Sequence, residues 1–218
     1  MSTNNKRSYR WLLWTLALVG FAVDQAGKYG VFSLLHDEAL ARGHKAERVI
    51  IPGALKFHVE LSGQEWPDEA CSLQTWSGPY EPHVNRGAFL GFGSGDGDGP
   101  NGNLIFAIVS VVAAGAIIWW STRRSIARDR LLCVALGLIL GGTLGNLYDR
   151  IVFDGVRDYL YWFFLIKTAV FNIADFFLVC GAGLLLIQAF CGKSCATDRT
   201  ATTQAAASCD VAQVAEVK

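Results

Sequence analysis

The sequence predicts an all-α integral membrane protein, with four transmembrane helices and a small external β-containing segment. Three observations predict it. Hydrophobic residues make up 52% of the 218 residues and charged residues only 17%, more apolar than a typical soluble domain. The apolar residues fall in four blocks, each near the roughly 20 residues needed to cross about 30 Å of hydrocarbon. The basic residues gather where those blocks meet one side of the bilayer. Backbone groups in lipid must be satisfied within their own segment, so each block should be helical.

The first block runs over about residues 11–35. Lys6, Arg7 and Arg10 precede it, as in a secretory signal peptide. The apolar run then passes Asp24 and Lys28 with no small-residue cleavage site, so it reads as a retained helix. An external segment, residues 36–102, follows. Residues 55–61 (LKFHVEL) alternate and suggest a short strand. Residues 62–81 are polar and turn-rich and read as a loop. The stretch FGSGDGDGPNGN, residues 92–103, lacks the ligand spacing of an EF-hand and reads as a flexible connector rather than a calcium loop. The remaining blocks cover about residues 103–121, 131–148 and 169–190. Gly137, Gly141 and Gly145 are four apart on one face of the third, which lets another helix approach closely. Residues 1–192 thus form one membrane domain, and residues 193–218, rich in Ala, Thr, Gln and Ser, a disordered cytoplasmic tail. No internal repeat is present.

Charge placement sets the orientation. Residues 122–130 carry Arg123, Arg124, Arg128 and Arg130 against Asp129, whereas residues 37–102 hold ten acids and five basic residues. Both termini should therefore be cytoplasmic and the acidic segment external. The formal net charge is zero, so no global field recruits nucleic acid. The six cysteines include no CxxC pair, and Cys133 and Cys180 read as small core hydrophobes. No metal-ligand cluster is present, and no cofactor is implied.

Ionisable groups inside membrane helices are costly and mark function. Asp24 and Lys28, four apart, suit an ion pair in the outer half of the first helix. Asn146, Asp149 and Arg150 end the third helix at the outer side. Asn172 and Asp175 start the fourth there, and Asp158 lies in the link between them. Asn85 and Arg86 belong to the external segment. Two carboxylates in a poorly solvated pocket share one proton. The ionised member can activate water and the protonated one can donate to a carbonyl, which suits peptide hydrolysis. His36, His44, His58 and His83 are all external, so a Ser–His arrangement stays open, although no GxSxG elbow occurs. A proton-coupled transporter relaying through Asp24, Asp149 and Asp175 is a second reading, and a membrane scaffold a third.

Four ordered motifs carry a family resemblance: DQAGKYG at residues 24–30, HVNRGAFLGF at 83–92, GGTLGNLYDRIVFDGVRDYL at 141–160 and FNIADFFLVCG at 171–181. Together they resemble the lipoprotein signal peptidase, or signal peptidase II, family of aspartyl membrane proteases. The resemblance implies that Asp158 and Asp175 form a catalytic dyad. It implies that Asn146, Asp149, Arg150 and Asn172 are a polar shell around it, with Asn85 and Arg86 facing substrate and Asp24 and Lys28 in support. The implied partners are membrane lipids and diacylglyceryl-modified prolipoproteins, cleaved just before the lipidated cysteine. The implied setting is the bacterial inner membrane, with the site near the periplasmic face of a monomer. The chain departs from the family where residues 62–81 stand between strand and Asn-x-Gly block. It also departs at Arg86-Gly87-Ala88-Phe89, where many members place a second Ala before the Phe.

Overall fold

The structure, a computed structural model, describes residues 8–76, 78–87, 100–164 and 169–190. Lys6 and Arg7, most of the Gly/Asp-rich stretch and the tail lie outside the described residues.

Helix α1 (Arg10–Ala41) has 32 residues and runs six residues past the apolar block that predicted it. The reason lies in packing. Val31, Phe32, Leu35 and Ala39 form a stripe at helical spacing, buried against Ala46, Val59 and Leu61 of a small sheet. Gly43, at φ +76°, then turns the chain out of the helix.

Strands β1 (Lys45–Ile51) and β2 (Leu55–Glu65) form an antiparallel hairpin, with Lys45 opposite Glu60 and Arg48 opposite Phe57. Strand β2 is longer than the alternation at residues 55–61 predicts. Its far end pairs with β3 (Tyr80–Pro82), Leu61 opposite Pro82 and Glu65 opposite Tyr80. The short helix α2 (Ser72–Thr75) lies between them. Residues 62–81 are therefore not simply a loop. The Gln74 side chain donates to Val152 O at 2.8 Å, and Tyr29 Oη donates to Leu73 O at 2.8 Å. These partners are distant in sequence, which is why local composition misses them.

Among the described residues, three helices are long and apolar enough to cross a membrane: the Gly102–Ser121 part of α3 (Pro100–Ser121), α5 (Arg130–Val152) and α6 (Ile173–Phe190). A short helix α4 (Arg124–Ala127) joins the first two. Helix α1 is not among the three, because Asp24, Gln25 and Lys28 break its apolar run. Within these windows 56% of α5 is buried, against 17% of α3 and 11% of α6. Helix α5 is thus the central post, while α3 and α6 turn residues such as Ile108, Val112, Val179 and Ile187 outward.

The glycine stripe on α5 meets α1 as its spacing predicts. A Cβ at Gly137 would lie 2.8 Å from Leu13 O, at Gly141 3.0 Å from Ala17 O, and at Gly145 2.5 Å from Asp24 Oδ2. Helix α6 approaches α5 as closely, where a Cβ at Gly142 would lie 2.5 Å from Ala174 O. Arg10, at the start of α1, donates to Ser121 O at the end of α3 at 3.0 Å, satisfying a terminal carbonyl.

Candidate active site

After α5 the chain turns at Asp154, at φ +56°, and folds back over the helix ends. Two bridges fix the return: Asn85 with Val156, and Leu160 with Phe171. Between them β4 (Leu160–Trp162) joins the edge of β2 opposite β1. This path carries Asp158 to the start of α6.

Asn172 sits just before α6. Its Oδ1 accepts from Asp175 N at 3.2 Å, and Asp175 Oδ2 accepts from Asn172 N at 3.2 Å. This is a reciprocal capping box, so the cap of a membrane helix fixes the Asp175 carboxylate. The Asn172 Nδ2 donates across to Asp158 Oδ1 at 2.7 Å. One fully buried amide therefore holds both aspartates. Asn85 Nδ2 donates to the other Asp158 oxygen at 3.0 Å, and Asn146 Nδ2 donates to Asp175 Oδ1 at 2.9 Å. Burial pushes the Asp158 carboxyl up to about 7, and the nearby charge of Asp175 adds to this. The hydrogen bonds from Asn85 and Asn172 oppose the rise.

Behind Asn146 lies a dry ionic cluster. Lys28 Nζ lies 2.8 Å from Asp24 Oδ2, 3.3 Å from Asp149 Oδ2 and 3.1 Å from Asn146 Oδ1. The spacing of Asp24 and Lys28 thus gives the ion pair it predicts. Asp24 Oδ1 also accepts from Ala174 N at 3.0 Å, in the first turn of α6, where a negative charge suits the helix dipole. Asp149 is closed into this cluster and has no hydrogen bond to either Asp158 or Asp175.

Two members were not singled out by sequence. Arg157 is fully buried, its Nη2 3.0 Å from Asp149 Oδ1 and its guanidinium 4.1 Å and 3.8 Å from the Tyr29 and Phe153 ring centres. Gln25 donates to Asp24, Gly145 O and Asp149, and accepts from Arg157. The available signals were adjacency to Asp158 and to Asp24. An arginine in a short external link reads as solvated until the link is seen to fold inward.

The outer residues have separate tasks. Arg150 donates to Asn103 Oδ1 and to Gly87 O, both at 3.2 Å, and so ties α3 to the Asn85 segment. Arg86 pairs with Asp154 at 3.1 Å. It also lines a cleft of about 340 Å³ with His58, Glu60, His83, Asn85 and Asp158. That cleft is large enough for a few side chains of an extended peptide beside Asp158.

Residues 79–191 match the model of a family described as signal peptidase (SPase) II. The chain belongs to the signal peptidase II family. The lipoprotein signal peptidase of Aeromonas hydrophila is 30% identical over 190 residues, covering 86% of this chain and 92% of that one. The lipoprotein signal peptidase of Rhodopirellula baltica is 45% identical over 123 residues, 50% of this chain and 52% of the relative. That of Pseudoalteromonas translucida also matches over 52% of its length, so in these two alignments the chain spans about half of the relative. A solved bacterial membrane enzyme shares the fold, with a TM-score of 0.62, 22% identity, and coverage of 87% of this chain and 93% of that one. All four resembling motifs of this signal peptidase II chain bear residues that meet around Asn172 or in the ionic cluster behind it.

Proposed function

We propose that this protein removes signal peptides from diacylglyceryl-modified bacterial prolipoproteins, cutting just before the lipidated cysteine, with Asp158 and Asp175 as the catalytic pair. The observation that carries the assignment is Asn172, whose side chain holds one aspartate and caps the helix with the other. Family membership supports the substrate class. The pair holds a single proton. Its ionised member takes a proton from water, whose oxygen attacks the scissile carbonyl. Its protonated member donates to the carbonyl oxygen as the tetrahedral intermediate forms. Collapse breaks the C–N bond: the leaving amine takes the proton that the first aspartate gained from water, and a hydroxyl of the intermediate returns its proton to the second aspartate as the carbonyl re-forms.

The ionic cluster of Asp24, Lys28, Asp149 and Arg157 supports the pair through Asn146, which lies between Lys28 and Asp175. Asn85 and Arg86 meet substrate in the cleft beside Asp158. Helix α1 serves as a fourth span, its three central polar residues spent inside the protein on α5, α6 and the link. Both termini then face the cytoplasm of the inner membrane, and the site lies at the outer face, where a lipid-anchored substrate presents its bond. Nothing favours the transporter alternative, since Asp24 and Asp149 are closed on Lys28 and Arg157 rather than open to a path.

The test is cleavage of a lipidated and an unlipidated prolipoprotein peptide by purified protein. Cleavage of the lipidated peptide, lost in Asp158→Asn and in Asp175→Asn, is the expected result. Equal cleavage of both peptides, or turnover by either variant within about tenfold of wild type, would refute the assignment.

A further inference from the structure

Residues 62–81, where the chain departs from the signal peptidase II pattern, take no part in the chemistry at Asp158. They wall a cavity of about 600 Å³ between β2, β3 and the end of α5. This cavity adjoins the cleft beside Asp158, because His83, Val84 and Arg86 line both. Val84 forms the floor between them. It is seated against Gly155, where a Cβ would lie 2.7 Å from Val84 Cγ2.

A single row of side chains runs through the two. Alternate residues of a strand share a face. His58 and Glu60 of β2 line the cleft, and Ser62 and Gln64 line the cavity. From His58 to Gln64 is about 20 Å at about 3.3 Å per residue. The row starts beside the catalytic pair, since His58 N donates at 2.9 Å to the carbonyl of Tyr159, the residue after Asp158. It ends at Trp66, whose ring meets that of Phe153 at 6.1 Å between centres. An extended chain of about six residues fits that length.

Most of the polar groups in the cavity are already engaged. Arg86 and Asp154 cancel each other 3.1 Å apart. Gln74 accepts from Cys71 N and donates to Val152 O. What remains is Glu81, half-buried and with no hydrogen bond or ion pair among the described residues. Glu81 stands between Tyr80, which pairs with Glu65, and Pro82, which pairs with Leu61, so it is level with residues 62–64 of β2.

We propose that the cavity walled by residues 62–81 holds the mature part of the substrate just beyond the lipidated cysteine, in extended form, and that Glu81 selects a basic over an acidic side chain there. The assignment rests on the protease reading of Asp158 and Asp175. The lipid keeps the cysteine at the bilayer, and the apolar signal peptide stays within it. The segment after the cysteine therefore leaves along the outer surface, where the cavity opens beside the end of α5. About five residues carry it about 17 Å, from the level of His58 to that of Glu81.

The test uses peptides that begin at the diacylglyceryl cysteine. These have no signal peptide left to lose, so binding is read without turnover. Fluorescence anisotropy with the purified full chain in detergent at pH 8 compares peptides with two and with eight residues after the cysteine. The longer should bind about tenfold tighter. Ser62→Trp, which sets an indole across the groove from an exposed strand position, should bring it to the affinity of the shorter. Lys in place of Glu at the fifth residue after the cysteine should tighten the longer peptide about fivefold, the order of one attraction gained and one repulsion avoided at a half-exposed site. Glu81→Gln levels the two. Equal affinity of long and short peptides, a length effect that survives Ser62→Trp, or a Lys preference that survives Glu81→Gln overturns the subsite. Cleavage of the full lipidated prolipoprotein peptide is read on the same samples. Its absence with both binding preferences intact counts against the protease reading alone. Its presence without them counts against the subsite alone.

Discussion

At the scale of single residues, Asp158 and Asp175 are held by amides rather than by cations: Asn85 and Asn172 on one, Asn146 on the other. An amide fixes a carboxylate without neutralising it, so the two charges still feel each other. Asp158, raised from 3.8 to about 7, therefore binds a proton in the folded protein that the unfolded chain has released by about pH 4 to 7. Stability falls as pH rises through that window and levels off above it. Asp158→Asn removes this penalty. It should lower cleavage by about 10²–10⁴-fold yet melt a few degrees, ~2–4 °C, higher than wild type at pH 8, with a smaller gain at pH 5. Thermal melts at the two pH values check this, and a gain that does not grow with pH counts against the shifted carboxyl. The ionic cluster predicts the reverse balance. Asp149→Asn leaves Lys28 and Arg157 buried without their shared anion, a loss of about 3–5 kcal/mol visible in a denaturant titration. Asp24→Asn should destabilise less, because Lys28 keeps Asp149 and Asn146, while still lowering turnover.

At the scale of elements, the seam between α1 and α5 sets the position of everything polar. Gly141 brings the α5 backbone to within contact of Ala17 O, and Lys28 reaches Asn146 and Asp149 across that seam. Gly141→Leu should cost about 1–3 kcal/mol by overpacking and lower stability and turnover together. A variant with wild-type melting and impaired turnover would show that the seam is looser than its geometry. The segment between β2 and β3 is a different kind of element, docked through Gln74 and Leu73 but contributing no buried side chain from α2. Replacing residues 67–78 by a short Gly/Ser turn should leave helix content unchanged by circular dichroism and lower the melting temperature by only a few degrees, ~2–4 °C. Loss of membrane insertion would show that it belongs to the folding core.

At the scale of the whole molecule, the buried share of each helix ranks α5 first and leaves α3 and α6 with apolar flanks, the pattern of a bundle solvated by lipid. The sheet packs on the last turns of α1, at the same end as the candidate site. With that end outside, exposed Cys71 should react with a membrane-impermeant maleimide on intact cells, and Cys195 only after permeabilisation. Labelling of Cys195 in intact cells would reverse the orientation.

Hydropathy and charge by themselves determined the helical membrane class and the site of each apolar block, because partition into lipid depends on composition over some twenty residues. Spacing determined the glycine seam and the Asp24–Lys28 pair, since both follow from 3.6 residues per turn. Tertiary structure alone decided that Asp149 joins the ionic cluster while Asp158 swings over to Asn172, that Arg157 is buried, and that residues 62–65 and 80–82 pair as strands. Each of these depends on the path of the link after Asp154 or on contacts between segments tens of residues apart, and no local period in the chain encodes where a loop will fold back.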